Sequence, residues 1–537
     1  MTSAYDFPSI RRDGLTLILG LGETGVAAAR WCAARGARLR VLDTREQPGG
    51  LDDLRTDGID VDLRLGAGAM TAGALDEVHT LVLSPGLNPH EAPVAGLLAE
   101  ARERKIEILG EIELFARALA DLRAQGYAPA LLAVTGTNGK TTVTALTRHL
   151  VAASGRRVRA AGNISPAALA SLKDALDQGE LPDVWVLELS SFQLEATSTL
   201  APDAATVLNV TQDHLDWHGS MQAYAAAKAR LLDMARIAVV NRDDPLVREM
   251  VSDLADERVR GFGVDAPALA GDGGLLTQQG LVWLAAAPEV EADPAVQPPV
   301  RRRRAVREEA PTRRPAATAQ ALMPVEALRI RGTHNALNAL AALILGRAIG
   351  LDWAPMLHAL RSYRGEAHRT EFVRAIAGVD FIDDSKGTNV GATLAALKGL
   401  GRPVVLIAGG LGKGQDFSPL APAVRAHART VLLIGQDGPL IGQALADCGV
   451  PLQSCATLED AVGRGLTLAQ PGDAVLLSPA CASMDMFRNY AHRSACFVEA
   501  VRALNAPGGG AASADCATSD VSGRHAGHEV GASGEMA

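Results

Sequence analysis

Twice within its first 150 residues the chain passes from a short β-type apolar run through a glycine-rich turn into a helical stretch, and this order restricts the fold more than any other feature. The first passage is Leu15–Leu19, then Gly20-Leu21-Gly22-Glu23-Thr24-Gly25, then an alanine-rich stretch to Arg35. The second is Ala130–Val134, then Thr135-Gly136-Thr137-Asn138-Gly139-Lys140-Thr141-Thr142, then a helix through Val151. Strand, tight turn and helix in succession build a parallel sheet, with ligands at the carboxyl edge of its strands. Arg38–Leu42 and Thr80–Leu83 extend the first sheet, and Val184–Leu189, Ala205–Val210 and Ile237–Asn241 extend the second. A third unit is expected from Val379–Ile382, Val404–Ala408, Val431–Ile434 and Ala474–Leu477.

The length of 537 residues suits about three domains of this kind. A net charge of -9 excludes nucleic-acid binding through a general basic surface, so an anionic substrate needs a local site. No apolar run approaches the roughly 20 residues of a membrane span, and Met1–Arg12 is charged where a signal peptide is apolar. A soluble, cytoplasmic protein is expected. The six cysteines form no CxxC pair and read as buried thiols. Residues 285–325, with seven prolines and the cluster Arg301–Arg304 followed by Arg313-Arg314, read as a disordered insertion, and 506–537, rich in Gly, Ala and Ser, as a disordered tail.

Arginine is the usual cation of this chain: only seven of its 52 basic residues are Lys, and four of them, Lys140, Lys228, Lys386 and Lys413, lie in or near polar motifs. Gly139-Lys140-Thr141 between strand and helix supplies backbone amides and an ammonium for phosphates and a hydroxyl for Mg²⁺. It is not a complete Walker A sequence, since Val134 stands where the first glycine belongs. The turn at Gly20–Gly25 matches GxGxxG, and Asp43 lies 18 residues past Gly25, where a ribose-binding carboxylate sits in dinucleotide enzymes. Glycines used only for helix–strand packing explain that turn equally well. Glu188 and His214 each follow a strand, where they can reach a metal or serve only as a helix cap and a loop residue. Lys228, from spacing alone, reads as a solvated lysine. Asp383-Asp384-Ser385-Lys386-Gly387-Thr388-Asn389, Gly409–Gly414 and Ser478–Asp485 bring three polar loops to one sheet edge, which points to a single binding site.

In order along residues 14–505, TGTNGKTT, ELSSFQLE, NVTQDHLD, HNALNA, DDSKGTN and SPACASMD resemble the Mur ligases, and DDSKGTN and Ser84-Pro85-Gly86 resemble the branch that adds D-glutamate. The resemblance implies an α/β chain of three domains in series. These are a Rossmann-like UDP-binding domain (1–118), a P-loop-type ATP-binding central domain (119–365) and a Rossmann-like C-terminal domain (366–505) for ATP and the amino acid. It implies ATP-dependent ligation of D-glutamate to UDP-N-acetylmuramoyl-L-alanine through an acyl phosphate, in cytoplasmic peptidoglycan-precursor synthesis, by a monomer.

Residue by residue, the resemblance puts Glu23, Thr24, Asp43, Thr44, Arg45, Ser84, Gly86 and Asn163 on the UDP substrate. It puts Gly136, Thr137, Asn138, Gly139, Lys140, Thr141, Thr142, Asn338, Arg369 and Asp384 on ATP. Lys386, Thr388, Lys413, Ser483, Met484 and Phe487 go to D-glutamate. Thr141, Glu188, His214 and a carbamylated Lys228 go to two Mg²⁺ ions, with Lys140, Glu188, His214 and Lys228 as the catalytic set. Ser165 departs from the family pattern after Gly162-Asn163-Ile164. Three alternatives stay open: another ligase of the superfamily, such as a folylpolyglutamate synthase or another muramyl-peptide ligase; a nucleotide-binding regulator without turnover; and a nicotinamide oxidoreductase.

Overall fold

The computed structural model describes residues 5–289 and 314–504. The first sheet holds β1 (Leu15–Leu19), β2 (Arg38–Asp43), β3 (Val61–Leu65), β4 (Val78–Leu83) and β5 (Glu107–Leu109), all parallel in the order β3-β2-β1-β4-β5. The strand order reverses between β1 and β4, which opens a crevice at their carboxyl ends. Ser84 Oγ donates to the Gly20 carbonyl across it at 2.9 Å. Gly20 has φ +92°, and a Cβ on Gly25 would stand 2.0 Å from the Gly20 oxygen, so this turn and the helix Glu23–Ala33 close only with glycine at both places.

The central sheet contains β6 (Ala130–Thr135), β7 (Val158–Gly162), β8 (Val184–Glu188), β9 (Ala204–Val207), β10 (Ile237–Asn241), β11 (Val259–Phe262), β12 (Gly273–Gln278), β13 (Leu281–Ala286) and β14 (Gln320–Pro324). Their order is β14-β13-β12-β11-β10-β9-β6-β8-β7, parallel from β7 to β12 and antiparallel from there to β14. The third sheet, β15 (Glu371–Ile376), β16 (Val379–Asp383), β17 (Val404–Gly409), β18 (Ala428–Ile434), β19 (Leu452–Ser454) and β20 (Ala474–Leu477), runs β15-β16-β20-β17-β18-β19 with only β15 antiparallel. Every strand expected from the sequence forms. Among the additional ones, β3, β7, β14, β15 and β19 are edge strands that are half exposed and so lack a continuous apolar run, while β11, β12 and β13 lie inside the central sheet.

The expected boundary at residue 118 falls inside the helix Glu111–Ala124. Phe115, Leu119 and Leu122 of this helix join Trp31 of the first domain and Leu131 and Trp185 of the second in one core, with Phe115 and Trp185 edge to face at 5.3 Å. Glu111, at the start of the helix, accepts the Leu169 amide at 2.5 Å across the same junction. Its other carboxylate oxygen is buried without a partner, and burial pushes its pKa up to about 7. A raised carboxyl favours the folded state while protonated, so its contribution falls as pH rises from about 4.5 to about 7. Glu111→Gln keeps the acceptor for Leu169 and removes that slope. The variant is expected to unfold at higher urea than wild type at pH 8, by about 2 kcal/mol, and with no gain near pH 4. Equal gains at both pH values would remove Glu111 as the cause.

The disordered reading of 285–325 needs correction at both ends. Ala285 and Ala286 complete β13, Gln320–Pro324 form β14, and β13 pairs with β14 through Trp283–Pro324 to Ala286–Gln320. β14 reads Gln-Ala-Leu-Met-Pro, a short, half-exposed edge segment ending in proline, too weak a pattern to stand out amid the other prolines. Arg314 is anchored as well: its guanidinium donates to Asp272 at 2.5 Å and to the Ala270 carbonyl at 3.1 Å. Asp272 is 2% exposed, so Arg314→Ala leaves a buried carboxylate with, among the described residues, Arg242 at 3.4 Å for charge. A loss of about 2 kcal/mol in chemical unfolding is expected. Residues 290–313 and the tail from 505 lie outside the described residues, and Cys516 with them; the other five cysteines are buried.

Candidate active site

The loop after β6 is shaped by its own glycines and by Asn209. Gly139 (φ +84°) starts the helix Lys140–Ala153, and a Cβ there would stand 2.8 Å from Asn338 Oδ1. Asn209, in the loop after β9, accepts the Asn138 amide through Oδ1 at 2.8 Å and donates from Nδ2 to the Asn138 carbonyl at 3.1 Å. Thr137 Oγ1 accepts the Thr211 amide at 3.0 Å, and Thr142 is buried in the first helical turn. The Thr137 and Asn138 amides are thus taken up by Asn209, and the first-turn amides of Lys140, Thr141 and Thr142, which have no intrahelical acceptor, are the ones that suit phosphate.

Two lysines converge on this loop. Lys140 Nζ donates to the Gly136 and Thr137 carbonyls at 2.9 Å each, and Lys228 Nζ donates to the same Gly136 oxygen at 3.0 Å. Lys228 is 1% exposed, on the helix Met221–Met234, so the solvated reading is overturned. Its ammonium lies 4.4 Å from the Tyr224 ring centre. Burial, reinforced by the Lys140 charge, drives its pKa well below the ordinary lysine value. Spacing along the chain does not reveal that this helix face turns inward. Glu188, at the end of β8 and 2% exposed, accepts Asn163 Nδ2 at 2.9 Å through Oε1, while Oε2 is buried without a hydrogen-bond partner. The helix Ser191–Glu195 is capped by a reciprocal Ser190–Gln193 box, so Glu188 is free of the capping role. His214 (φ +54°) starts a short helix with its ring 4.8 Å from Phe192, and burial holds its imidazole below its ordinary pKa, in the neutral form that ligates metals. A buried carboxylate oxygen with no partner and a neutral imidazole fit a divalent cation.

The C-terminal domain brings its loops against this one. Arg369 NH2 donates to Thr141 Oγ1 at 2.7 Å, and Lys386 Nζ lies 3.5 Å from the same hydroxyl. Asp384 is buried and accepts Ser478 Oγ at 2.7 Å and the Thr370 amide at 3.1 Å; burial pushes its pKa up to about 7. Leu411 and Ala482 exchange both backbone hydrogen bonds at 2.9 Å, which sets the Lys413 loop beside Ser483. Lys413 is exposed with φ +53°, Ser483 is buried, and Thr388 follows Lys386 in the same turn. Between the domains lies a cleft of about 270 Å³ lined by Asn138, Gly139, Thr142, Ile330, Asn338 and Arg369, among others.

Two more of the expected residues follow Ser483, whose carbonyl accepts the Phe487 amide at 2.8 Å. Phe487 packs on the core of the third sheet and against His492 at 5.8 Å, and Met484 is 66% exposed. The aromatic ring beside Lys386 is Tyr490, 5.1 Å from the ammonium. Arg493, missed in the sequence, is fully buried and donates to the Cys481 and Ser385 carbonyls at 2.8–3.1 Å, tying two of the polar loops together. An arginine within a helix carries no mark of burial in sequence, so nothing singled it out. Asn335, which accepts from Asn338 at 3.1 Å and lines the cleft, could have been found from the HNALNA run.

At the first sheet, Asp43 is buried by β2 and accepts the Leu21 amide at 2.7 Å and a two-point contact from Arg45 at 2.7 and 2.8 Å. Burial raises its pKa, but these donors outweigh it and hold the carboxyl below its ordinary value. Glu23 and Arg45 are exposed, and Thr24 and Thr44 half-buried, around the same strand ends. Gly86 has open space about its Cβ position. Asn163 follows β7 and binds Glu188 through backbone and side chain, so it belongs to the central cluster.

Three family models match in series: the Mur ligase MurD-like N-terminal domain over 15–110, the Mur ligase middle domain over 134–282 and the Mur ligase glutamate ligase domain over 368–481. The chain is 63% identical over 508 residues to the UDP-N-acetylmuramoylalanine--D-glutamate ligase of Bordetella avium, covering 94% of this chain and 98% of that one. It is 55% identical over 495 residues to the ligase of the same name from Burkholderia pseudomallei, covering 91% and 97%. Among solved structures, UDP-N-acetylmuramate-alanine ligase MurC from Thermotoga maritima matches with TM-score 0.53 at 19% identity, covering 91% of this chain and 99% of that one. MurF ligase from Thermotoga maritima, solved in complex with ADP, matches with TM-score 0.51 at 17% identity, covering 80% and 96%. These two likenesses concern the fold. With a rigid phosphate loop facing a cationic loop from a third domain, and relatives of this identity along nearly its whole length, the chain belongs to the Mur ligase family.

Proposed function

We propose that this protein is the ATP-dependent ligase that joins D-glutamate to UDP-N-acetylmuramoyl-L-alanine in cytoplasmic peptidoglycan-precursor synthesis. The observation that carries the reading is the meeting at Thr141 of the phosphate loop with Arg369 and Lys386 of the C-terminal domain. A carboxylate has no leaving group for an amine, so ATP must first convert the alanyl carboxylate to an acyl phosphate. Its γ-phosphoryl group passes to a carboxylate oxygen and ADP departs. The amine of D-glutamate then attacks the acyl carbon, loses a proton and expels phosphate. Both partners of the first step are anions, and Lys140 and Arg369 stand where their charge gathers.

Glu188, His214 and Thr141 would hold Mg²⁺, which when bound neutralises and aligns the phosphate and carboxylate oxygens. Lys228 supports a carbamate: two ammonium groups cannot comfortably share the Gly136 oxygen, and the buried one is neutral more readily. A neutral amine adds to CO₂, forming a C–N bond and releasing one proton, and becomes an anionic oxygen ligand. In this reading Asn338 and Asp384 face the nucleotide and Lys386, Thr388, Lys413 and Ser483 the amino acid. The turns bearing Glu23, Thr24, Asp43 to Arg45, Ser84 and Gly86 face the UDP moiety. Among the described residues no helix is long and apolar enough to cross a membrane, which agrees with a cytoplasmic substrate.

The test is phosphate release with UDP-N-acetylmuramoyl-L-alanine, ATP and Mg²⁺ against D-glutamate, L-glutamate, L-alanine and L-lysine. Turnover is expected with D-glutamate alone. Preference for another amino acid, or ADP release indifferent to the muramyl substrate, would overturn the reading.

A further inference from the structure

Asn389 ends the polar loop that carries Lys386 and Thr388, and starts the helix Val390–Gly399. It is 3% exposed, and its side-chain amide is fully engaged. Oδ1 accepts the Ala392 amide at 2.9 Å and Asn138 Nδ2 at 3.1 Å, while Nδ2 donates to Asn138 Oδ1 at 3.0 Å and to Asp213 Oδ2 at 3.2 Å. Three of these four bonds cross from the C-terminal to the central domain. Asn138 belongs to the phosphate loop, and Asp213 immediately precedes His214. The fit leaves no spare room: a Cβ on Gly391 would lie 2.8 Å from Thr211 Oγ1 and 3.0 Å from Asn138 Nδ2.

We propose that Asn389 is a positioning residue that seats the loop receiving the acceptor amino acid on the preformed phosphate loop. The inference rests on the proposed ligation for the identity of that amino acid. If the C-terminal domain swings away, Asn389 keeps only its helix-capping bond, and the Asn138 amide and Asp213 carboxylate return to water. The docked arrangement is favoured because Asn138 is held in place, its backbone amide and carbonyl both bonded to Asn209. Because Asn389 and Asn138 are both neutral amides, their pairing adds orientation without adding charge beside the phosphates. Lys386 and Thr388 lie one to three residues before Asn389, so the same contact fixes where their side chains stand.

Asn389→Ser retains a good helix cap and removes the amide. In steady-state assays it is expected to raise KM for D-glutamate about tenfold, the scale of one or two lost hydrogen bonds. The calorimetric Kd for Mg-ADP without amino acid should stay within about twofold. Asn389→Asp, which also caps but turns a carboxylate toward Asp213, should raise KM at least as far, and it serves if the Ser variant melts early. The double variant Asn138→Ala/Asn389→Ser should be no worse in KM than the worse single variant, since both break one contact. An unchanged KM in both Asn389 variants, losses that multiply in the double variant, or an equal weakening of ADP would each overturn the positioning of the acceptor loop. The wild type fixes which amino acid is scored, so a wrong acceptor and an absent positioning role give different results.

Discussion

Lys228→Ala is expected to lower the rate of ligation at least about a hundredfold while the protein stays folded. Removing one charged or metal-binding group from a site of this kind costs on that order. The helix Met221–Met234 gains propensity with Ala, so no loss of fold is expected from the backbone. Lys228 makes one hydrogen bond, to an oxygen that Lys140 continues to bind, so the loop keeps a donor after the substitution. Two further measurements separate the carbamate from a bare lysine. Wild-type enzyme held free of CO₂ should lose activity and regain it with bicarbonate, and ¹³C-labelled bicarbonate should give a carbamate resonance absent in Lys228→Ala. A short-chain carboxylate in the buffer should restore part of the variant's rate. Full activity of Lys228→Ala, or no response to CO₂, would sink the carbamate.

The second large effect concerns Lys386. Lys386→Ala should raise KM for D-glutamate by about 10- to 150-fold, the cost of a charge-assisted hydrogen bond of roughly 1.5–3 kcal/mol, with a smaller change in KM for ATP. Its position makes this a sharp test, because Lys386 Nζ is 3.5 Å from the phosphate-loop hydroxyl of Thr141 and 5.1 Å from the Tyr490 ring. An ammonium between phosphate loop and acceptor loops could serve either substrate, and the ratio of the two KM changes decides which. L-Glutamate aligned by its amine would turn its side chain away from these groups and leave them unpaired, so it should remain a poor substrate of wild type. An ATP KM that rises in step with that of D-glutamate would move Lys386 to the nucleotide.

The strand–turn–helix passages, the loop Thr135–Thr142 and the strand-end positions of Glu188, His214 and Asp383–Asn389 were legible in the sequence by itself. They depend on local physics: apolar runs long enough to be buried on both faces, glycines at positive φ, and polar residues directly after a strand. Edge strands such as β14 and β15 escaped because half-exposed segments need no continuous apolar run. The tertiary structure alone decided that Lys228 is buried, that Arg493 braces two loops, that Tyr490 stands beside Lys386, and that Asn389 pairs with Asn138. Each of these rests on a contact between separate elements. Lys228 and Gly136 are 92 residues apart and Asn389 and Asn138 are 251 apart, and the direction of a side chain across such a gap follows from how whole domains pack. Spacing along the chain sets which residues share a helix face or a strand end, whereas burial and the identity of the partner arise only when those faces meet.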